Sequence, residues 1–275
     1  MPKVSVIMAV YNLENVEILG KSIASIQNQT CSDIEFIICD DGSTDNTREL
    51  LKKFAKKDRR IKLIYNSKNR KASYARNKCI KHAKGNYIAV MDADDISDIR
   101  RIERLSEFLD EHTEYDFVGC KGEFFVNQIG DDGEIYWYCR KPESKDFLFS
   151  LPYVHASMLF RKESLKRVQG YDISKNVIRA EDYDLLLRLY GEGMRGYNIN
   201  EVLYYIRRDK NQYHRRKYRY RFHEAYIKYR GFRKLGLFPS GIIFAVKPLI
   251  VGLIPLHFMA VLQKKYYSKK QEAGK

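Results

Sequence analysis

The stretch YIAVMDADD, residues 87–95, decides the fold because an apolar run meets a cluster of carboxylates. Residues 86–91 show no alternation of polar and apolar side chains, which is typical of a strand buried on both faces. Asp92, Asp94 and Asp95 follow directly. Crowded carboxylates repel one another, so the pattern predicts a site at the end of this strand where a cation could offset the repulsion.

Three similar runs come earlier in the chain, and helical patterns separate them. The runs cover residues 3–11, 34–39 and 61–65. Strands without alternation that are separated by helices predict an α/β fold, with a mainly parallel sheet and helices on both faces. We expect the helix at 72–85 to be closed by Gly85. Ligands of such sheets bind outside the carboxyl ends of the strands, where Tyr11 and Asp41 follow their strands.

The middle of the chain is less regular. Residues 116–126 and 133–139 are predicted to be strands, and residues 155–168 a strand followed by a helix. The segment RAEDYD opens a predicted helix at 179–193 and places Glu181 and Asp182 at its start. A carboxylate there is stabilised as an anion by the helix dipole, which suits a general base. Taken alone, the motif is better explained as the ordinary negative charge of a helix N-terminus.

A basic, aromatic segment follows at residues 207–236. Its aromatic side chains recur at helical spacing: Tyr218, Phe222, Tyr226, Tyr229 and Phe232. The spacing predicts an amphipathic helix that packs this aromatic stripe on the domain.

The last segment, residues 237–275, is apolar and then basic. A spanning helix needs about 20 apolar residues, and Lys247–Pro248 divides this run into two predicted short helices. We expect them to lie in the membrane interface, with the lysines at 264–270 on anionic headgroups. The alternative is a helical pair that completes the core or a dimer interface.

Charge and cysteine content restrict the partners and the compartment. The chain of 275 residues carries a formal net charge of +15, which favours acidic partners such as phosphorylated metabolites, an anionic membrane or nucleic acid. Its five cysteines form no C-x-x-C pair, which favours a reducing, cytosolic compartment. We expect no nucleic-acid partner, because neither an aromatic RNA-binding signature nor a helix-turn-helix pattern is visible.

The acidic cluster at 92–95 has two chemical interpretations. A D-x-D pair can converge on Mg²⁺ or Mn²⁺, which prefer carboxylate oxygens and leave positions open for substrate phosphates. Alternatively, the strand and D-x-D resemble a phosphatase of the haloacid dehalogenase type, with Asp92 as nucleophile and Asp94 as acid/base. That motif normally opens its chain, whereas three strand–helix units precede it here. Asp98 is predicted to cap the helix that follows.

Several motifs together resemble the inverting family-2 glycosyltransferases of the GT-A fold, a Rossmann-like nucleotide-sugar-binding fold. The motifs VSVIMAVYN, DDGSTDNT, MDADD and EDYD occur in the order and approximate spacing of that family, over residues 3–205. The EDYD segment and the basic, apolar tail look most like small bacterial enzymes that assemble exopolysaccharide or capsule. Processive members carry Q-x-x-R-W after the base, whereas YYIRRDKN stands here, so we expect addition of a single sugar.

The resemblance implies a role for several donor-side residues. The backbone of Ala9 and the ring of Tyr11 would hold the nucleotide base, and Asp41 would accept the uracil N–H. Arg70 would lie near the nucleotide, and Asp92 would lie beside the ribose or the metal shell.

It also implies the reacting groups. Asp94 would coordinate Mn²⁺ or Mg²⁺ at the donor diphosphate, with a UDP-sugar as the expected donor. Asp182 would be the general base for a hydroxyl of a glycan or polyprenyl-diphosphate-linked acceptor, and Glu181 would help to position it. A non-catalytic interaction protein on a transferase scaffold is a further alternative.

These expectations divide the chain into three parts. Residues 1–206 would form the catalytic domain, with a nucleotide-sugar part at 1–95 and an acceptor part at 96–206. Residues 207–236 would form a basic helix. Residues 237–275 would form a tail that holds the protein peripherally on the cytoplasmic face of the membrane.

Overall fold

A mixed sheet of eight strands lies at the centre of the computed structural model, which describes residues 2–136, 139–208 and 218–253. The strands are β1 (Val4–Val10), β2 (Ile34–Asp40), β3 (Ile61–Tyr65), β4 (Tyr87–Asp92), β5 (Ile96–Ser97), β6 (Phe117–Phe125), β7 (Leu159–Arg161) and β8 (Gly196–Arg207). The helices are α1 (Val16–Gln27), α2 (Thr47–Lys57), α3 (Ala72–His82), α4 (Arg101–Glu111), α5 (Lys162–Arg167), α6 (Glu181–Gly191), α7 (Arg219–Lys234) and α8 (Gly241–Val251).

The sheet order is β3-β2-β1-β4-β7-β6-β8-β5. The first four strands are parallel, as the sequence predicts, and β7 is antiparallel to both β4 and β6. Val10 pairs with Asp40 and Ala9 with Asp92, so the carboxyl ends of β1, β2 and β4 lie side by side. The residues that follow these strands therefore share one edge of the sheet.

Two apolar layers cover the sheet, one on each face. On one face α1, α2 and α4 pack against alternate side chains of β1, such as Val6 and Met8. On the other face α3, α5 and α6 pack with Ile7, together with parts of α7 and α8. The predicted helices on both faces are confirmed.

Three details of the first 208 residues differ from the sequence prediction. Helix α3 ends at His82, and Gly85 is needed instead where the chain crosses β1, since an added Cβ would lie 2.6 Å from the Ser5 nitrogen. The strand predicted at 133–139 contributes only an isolated bridge between Ile135 and Glu123, with residues 137 and 138 outside the described part. The 12-residue strand β8 was not predicted, because polar residues interrupt its apolar pattern.

Helix α7 is present, but the prediction that its aromatic stripe packs on the domain is wrong. Only Phe232 of the stripe is buried; the exposed members are Tyr218, Phe222, Tyr226 and Tyr229. The buried face contains Ile227 and Gly231 instead. The glycine accounts for the close approach of this face to α6, since a Cβ at Gly231 would lie 2.5 Å from Leu187 Cδ1.

Helix α8 runs through Lys247–Pro248, so the predicted break at this point is wrong. The proline lacks one N–H donor, but the helical pattern resumes where Gly252 N donates to Pro248 O at 2.9 Å. No helix among the described residues has the length and apolar character needed to cross a bilayer. The predicted second short helix and the lysines at 264–270 lie in residues 254–275, outside the described residues.

Candidate active site

A cavity of about 560 Å³, here called the first cavity, opens at the carboxyl edge of the parallel strands. Four residues that the sequence assigns to donor binding line it: Ala9, Tyr11, Asp41 and Arg70. The rest of its lining includes residues 172–175 and 177–179, which belong to the loop 172–179, and Tyr220 of α7. Tyr11 follows β1 and remains 45% exposed, so its ring is accessible to a planar group.

A second cavity of about 320 Å³ adjoins the first. It is lined by Asp92, Glu181 and Asp182 together with residues that the sequence did not single out, among them Arg76 and His155. Arg179 and Glu181 line both cavities. The fold thus places four of the predicted donor-binding residues in the first cavity, whereas Asp92 lies in the second cavity with the predicted base.

Asp41 shapes the wall of the first cavity through contacts with its neighbouring loop. Its buried carboxylate accepts hydrogen bonds from Asn66 Nδ2 at 2.7 Å, from Arg70 N at 3.0 Å and from Lys71 N at 2.8 Å. Lys71 has a φ of +74°, a strained conformation for a non-glycine residue that these contacts stabilise. The Arg70 guanidinium lies 3.9 Å from the centre of the Tyr74 ring.

The acidic turn after β4 separates its three carboxylates. Asp92 Oδ1 accepts from Arg76 Nη2 at 2.6 Å, and the buried Asp95 accepts from Arg207 N at 2.8 Å. Asp94 is the exposed member of the three, and its backbone oxygen accepts from Arg207 Nε at 2.9 Å. Burial raises the pKa of Asp95 well above its usual value, and the charges of Asp94 and Asp92 raise it further.

These carboxylates fit a divalent cation whose coordination shell is completed by the substrate. Among the described residues no group of three or more His, Cys, Asp and Glu side chains forms a metal cage. Mg²⁺, however, is commonly held by one or two carboxylates together with substrate phosphates. The mutual repulsion that raises the pKa of Asp95 is what a cation beside Asp92 and Asp94 would relieve.

Asp98 lies just before α4, but the prediction that it caps this helix needs correction. Its Oδ1 accepts a hydrogen bond from the backbone N–H of Arg100 at 2.9 Å, and Arg100 is the residue that immediately precedes α4. No side chain caps α4 itself.

Asp182 lies in the first turn of α6, where its Oδ1 accepts from Tyr183 N at 2.7 Å. Burial and the adjacent Glu181 raise the pKa of Asp182 to about 6, against the smaller opposing effects of the Tyr183 N–H and Arg76. A carboxyl group with such a pKa is ionised at neutral pH and is a stronger base than an exposed carboxylate. The geometry therefore suits Asp182 to proton abstraction.

Arg76 is the main site residue that sequence reasoning missed. It is 7% exposed, and its Nε has no hydrogen-bond partner among the described residues. Burial opposes its charge, but Asp92, Tyr171 and Glu181 together raise the pKa of Arg76, so the guanidinium stays cationic. The sequence feature that could have identified Arg76 is its position on α3 between Ala75 and Cys79. A charged residue within an apolar helix face needs a buried partner.

His155 enters the second cavity as a neutral ring. Burial first, and then the charge of Arg76, lower the pKa of His155 to about 3, and a ring nitrogen lies 2.9 Å from the Tyr171 hydroxyl. The cavity thus contains two cationic side chains, Arg179 and the buried Arg76, beside the carboxylates of Asp92, Glu181 and Asp182. Such a site can bind a polarised substrate and remove a proton from it.

Comparison with known protein families and sequences agrees with this geometry. A model described as "Glycosyl transferase family 2" matches residues 5–168. The chain is 37% identical over 270 residues to a Bacillus subtilis (strain 168) protein named glycosyltransferase EpsE, covering 98% of this chain and 94% of that protein. It is 33% identical over 207 residues to the Escherichia coli protein named UDP-Glc:alpha-D-GlcNAc-diphosphoundecaprenol beta-1,3-glucosyltransferase WfaP, covering 75% and 78% of the two chains.

Solved structures share the fold. Residues 1–349 of Staphylococcus aureus TarS in complex with UDP-GlcNAc align with a TM-score of 0.70 and 19% identity, covering 93% of this chain and 77% of that chain. The mannosyltransferase PcManGT from Pyrobaculum calidifontis, in complex with GDP-Man and Mn²⁺, aligns with a TM-score of 0.65 and 19% identity, covering 97% and 80%. At these identities the likeness shows the fold alone.

Proposed function

The chain belongs to glycosyl transferase family 2 and has the GT-A fold, and we propose that it transfers one sugar from a UDP-sugar with inversion at the anomeric carbon. The observation that carries this proposal is the adjacency of the two cavities at Arg179 and Glu181. A nucleotide-sugar in the first cavity would present its sugar to Asp182 in the second. The family match does not favour the phosphatase alternative.

We further propose a glycan or polyprenyl-diphosphate-linked acceptor, in bacterial exopolysaccharide or capsule synthesis. The names of its relatives support this choice, since that of WfaP includes both a UDP-sugar and a diphosphoundecaprenol-linked sugar. The net charge of +15 is consistent with substrates that carry diphosphates.

On the donor side, Tyr11 stacks on the nucleotide base. Asp41 holds the loop that lines the nucleoside and also accepts a hydrogen bond from an N–H of the base. Asp94, with Asp92 beside it, would hold Mn²⁺ or Mg²⁺, which when bound supplies positive charge to the diphosphate. Arg76 keeps Asp92 in place through their 2.6 Å contact and adds a positive charge to the second cavity.

On the acceptor side, Asp182 takes the proton of the acceptor hydroxyl while the oxygen of that hydroxyl forms a bond with the anomeric carbon. The bond between that carbon and the donor diphosphate oxygen breaks on the opposite face, so the configuration inverts and a nucleoside diphosphate leaves. Glu181, which lines both cavities, positions the acceptor or the base.

The test of this function is a donor screen. We expect the protein to bind UDP more tightly than GDP or dTDP in calorimetry with Mn²⁺, and to release UDP from a UDP-sugar only when a lipid-linked or glycan acceptor is present. Hydrolysis of a generic phosphate ester without dependence on a nucleotide-sugar would instead support the phosphatase.

The pKa of Asp182 predicts an acidic limit to activity. Since burial and Glu181 raise that pKa to about 6, the base is protonated and inactive below it and ionised above it. We expect kcat/KM to rise through about pH 6 and to reach about one tenth of its plateau at pH 5. Measurement of kcat/KM from pH 4.5 to 8 checks this, and a flat profile down to pH 5 would contradict it.

We also propose that α7 and α8 hold the protein peripherally on the anionic, cytoplasmic face of the membrane. One side of α8 exposes apolar side chains at helical spacing, Ile242, Ile243, Val246 and Ile250, and the exposed Leu253 follows the helix. The exposed basic side chains of the two helices are Arg219, Arg230, Arg233, Lys234 and Lys247. Apolar side chains flanked by cations are typical of helices that lie in the headgroup region.

The double variant Ile243→Asp/Ile250→Asp is expected to lose membrane binding. Ile243 is 75% exposed and Ile250 is 63% exposed, so the folded protein tolerates the change while the apolar contact is lost. Flotation with phosphatidylglycerol vesicles should show at least about a tenfold drop in the bound fraction. The matched control is Ile129→Asp, another exposed isoleucine, and equal binding of all three proteins would rule out this surface.

A further inference from the structure

Helix α7 lies beyond the residues that the family model matches, yet it forms part of the first cavity. Tyr220 lines this cavity together with Tyr11, Asp41 and Arg70. Its phenol is oriented by its neighbour, since Arg219 Nη2 donates to Tyr220 Oη at 3.0 Å and the guanidinium lies 5.0 Å from the ring centre.

The same helix contacts the loop 172–179, which also lines the first cavity. The His223 ring nitrogen Nδ1 lies 3.2 Å from the Ile178 carbonyl oxygen, and Ile178 lines the first cavity. Arg230 Nη2 lies 3.6 Å from the carboxylate of Asp172, at the start of that loop. Helix α7 therefore supports the cavity wall at two points besides Tyr220.

Arg230 also connects α7 to the helix that carries the predicted base. It forms an ion pair with the buried Asp184, which also accepts from Arg188 Nε at 2.7 Å. Asp184 lies two residues after Asp182 on α6. The close contact of Gly231 with Leu187 and the 2.5 Å ion pair of Lys234 with Glu192 extend this contact along α6.

The division of the two cavities indicates which part of a donor Tyr220 would meet. Asp92 and Asp182 line the second cavity, whereas Tyr11 and Asp41 line the first. Tyr220 lines only the first cavity, on the side of the nucleoside and away from the transferred sugar.

We propose that α7 is a functional part of the donor site: Tyr220 binds the nucleoside of the nucleotide-sugar, and Arg230 is a positioning residue that fixes loop 172–179 and the start of α6. This inference rests on the proposed transferase function. The catalytic unit consequently extends past residue 206, and the helices proposed to meet the membrane also close the donor pocket.

The experiment is calorimetric titration of the full chain with UDP and Mn²⁺. We expect Tyr220→Ala to weaken UDP binding by about 10-fold, which corresponds to about 1.4 kcal/mol. Tyr220→Phe should retain most of the affinity because the ring remains. The matched control is Phe222→Ala, an exposed aromatic residue of α7 that does not line either cavity, and we expect it to bind UDP like the unaltered protein.

A second set of variants tests the positioning role. Arg230→Met should weaken UDP binding about fivefold, and Arg230→Lys should restore part of it, because a lysine keeps the positive charge that pairs with Asp184. Arg233→Met, at an exposed position of the same helix that lines neither cavity, should leave UDP binding unchanged. Rescue by lysine separates positioning from a general loss of packing.

The outcomes distinguish this inference from the function on which it rests. If the unaltered protein binds UDP and Tyr220→Ala binds it equally well, α7 is not part of the donor site although the transferase proposal stands. If the unaltered protein binds no nucleoside diphosphate, both proposals fail.

Discussion

Replacement of Asp182 with Asn is expected to lower kcat by about 10²–10⁴-fold, the usual contribution of a positioned general base. Asn has nearly the same shape, and its amide oxygen can still accept from Tyr183 N, so α6 should keep its start. The substitution removes the Asp182 carboxylate. Burial and Glu181 raise the pKa of that group to about 6, which lets it take a proton at neutral pH. The loss should therefore fall on the chemical step.

The measurement combines turnover with donor binding. Asp182→Asn should bind UDP and Mn²⁺ within about twofold of the unaltered protein, because Asp182 lines only the second cavity. Asp131→Asn is the control, since its carboxylate accepts backbone N–H groups in a turn outside both cavities. Turnover by Asp182→Asn at more than one tenth of the normal rate would exclude this residue as the base.

The parallel half of the fold could be predicted because each of its strands is short, apolar and bounded by a helix. Once β1, β2 and β4 are parallel and adjacent, Tyr11, Asp41 and Asp92 must share an edge, and their common placement follows from the sequence pattern alone. By contrast, β8 carries Asn and Glu side chains within its run, and its pairing with β6 shifts register after Cys120. The hydrophobic periodicity of a segment cannot predict such a pairing between strands that are distant in the sequence.

The roles within the acidic turn needed three-dimensional information. Neighbours in the sequence cannot reveal that Asp92 meets Arg76, 16 residues earlier, or that Asp95 meets Arg207, 112 residues later. Both partners come from other elements of the sheet and its helices. Their contacts hold Asp92 and Asp95, and they leave Asp94 as the carboxylate exposed to solvent.

The same reasoning explains why α7 was misjudged. An amphipathic pattern identifies a helix, but a stripe of aromatic residues is not proof of its buried face. The small residue Gly231 accounts for the close approach of the buried face to Leu187. Tyr220 then lies on the side of the first cavity, and four other aromatic residues remain exposed.

Asp94→Ala is expected to have a different effect from Asp182→Asn, since it should abolish metal-dependent donor binding. The exposed Asp94 is the carboxylate best placed to meet a cation that arrives with the donor. A bound cation is worth several kcal/mol in charge stabilisation, so kcat/KM should fall by about 100-fold or more. In calorimetry, Mn²⁺ should no longer increase the affinity of this variant for UDP.

Asp98→Ala provides the matched control for that change. Asp98 lies four residues further along the chain, and its side chain accepts from Arg100 N in the turn before α4. It should keep the Mn²⁺ effect on UDP binding, although α4 becomes slightly less stable. If Asp94→Ala and Asp182→Asn lost UDP binding equally, the two carboxylates would not have the separate roles of metal ligand and general base.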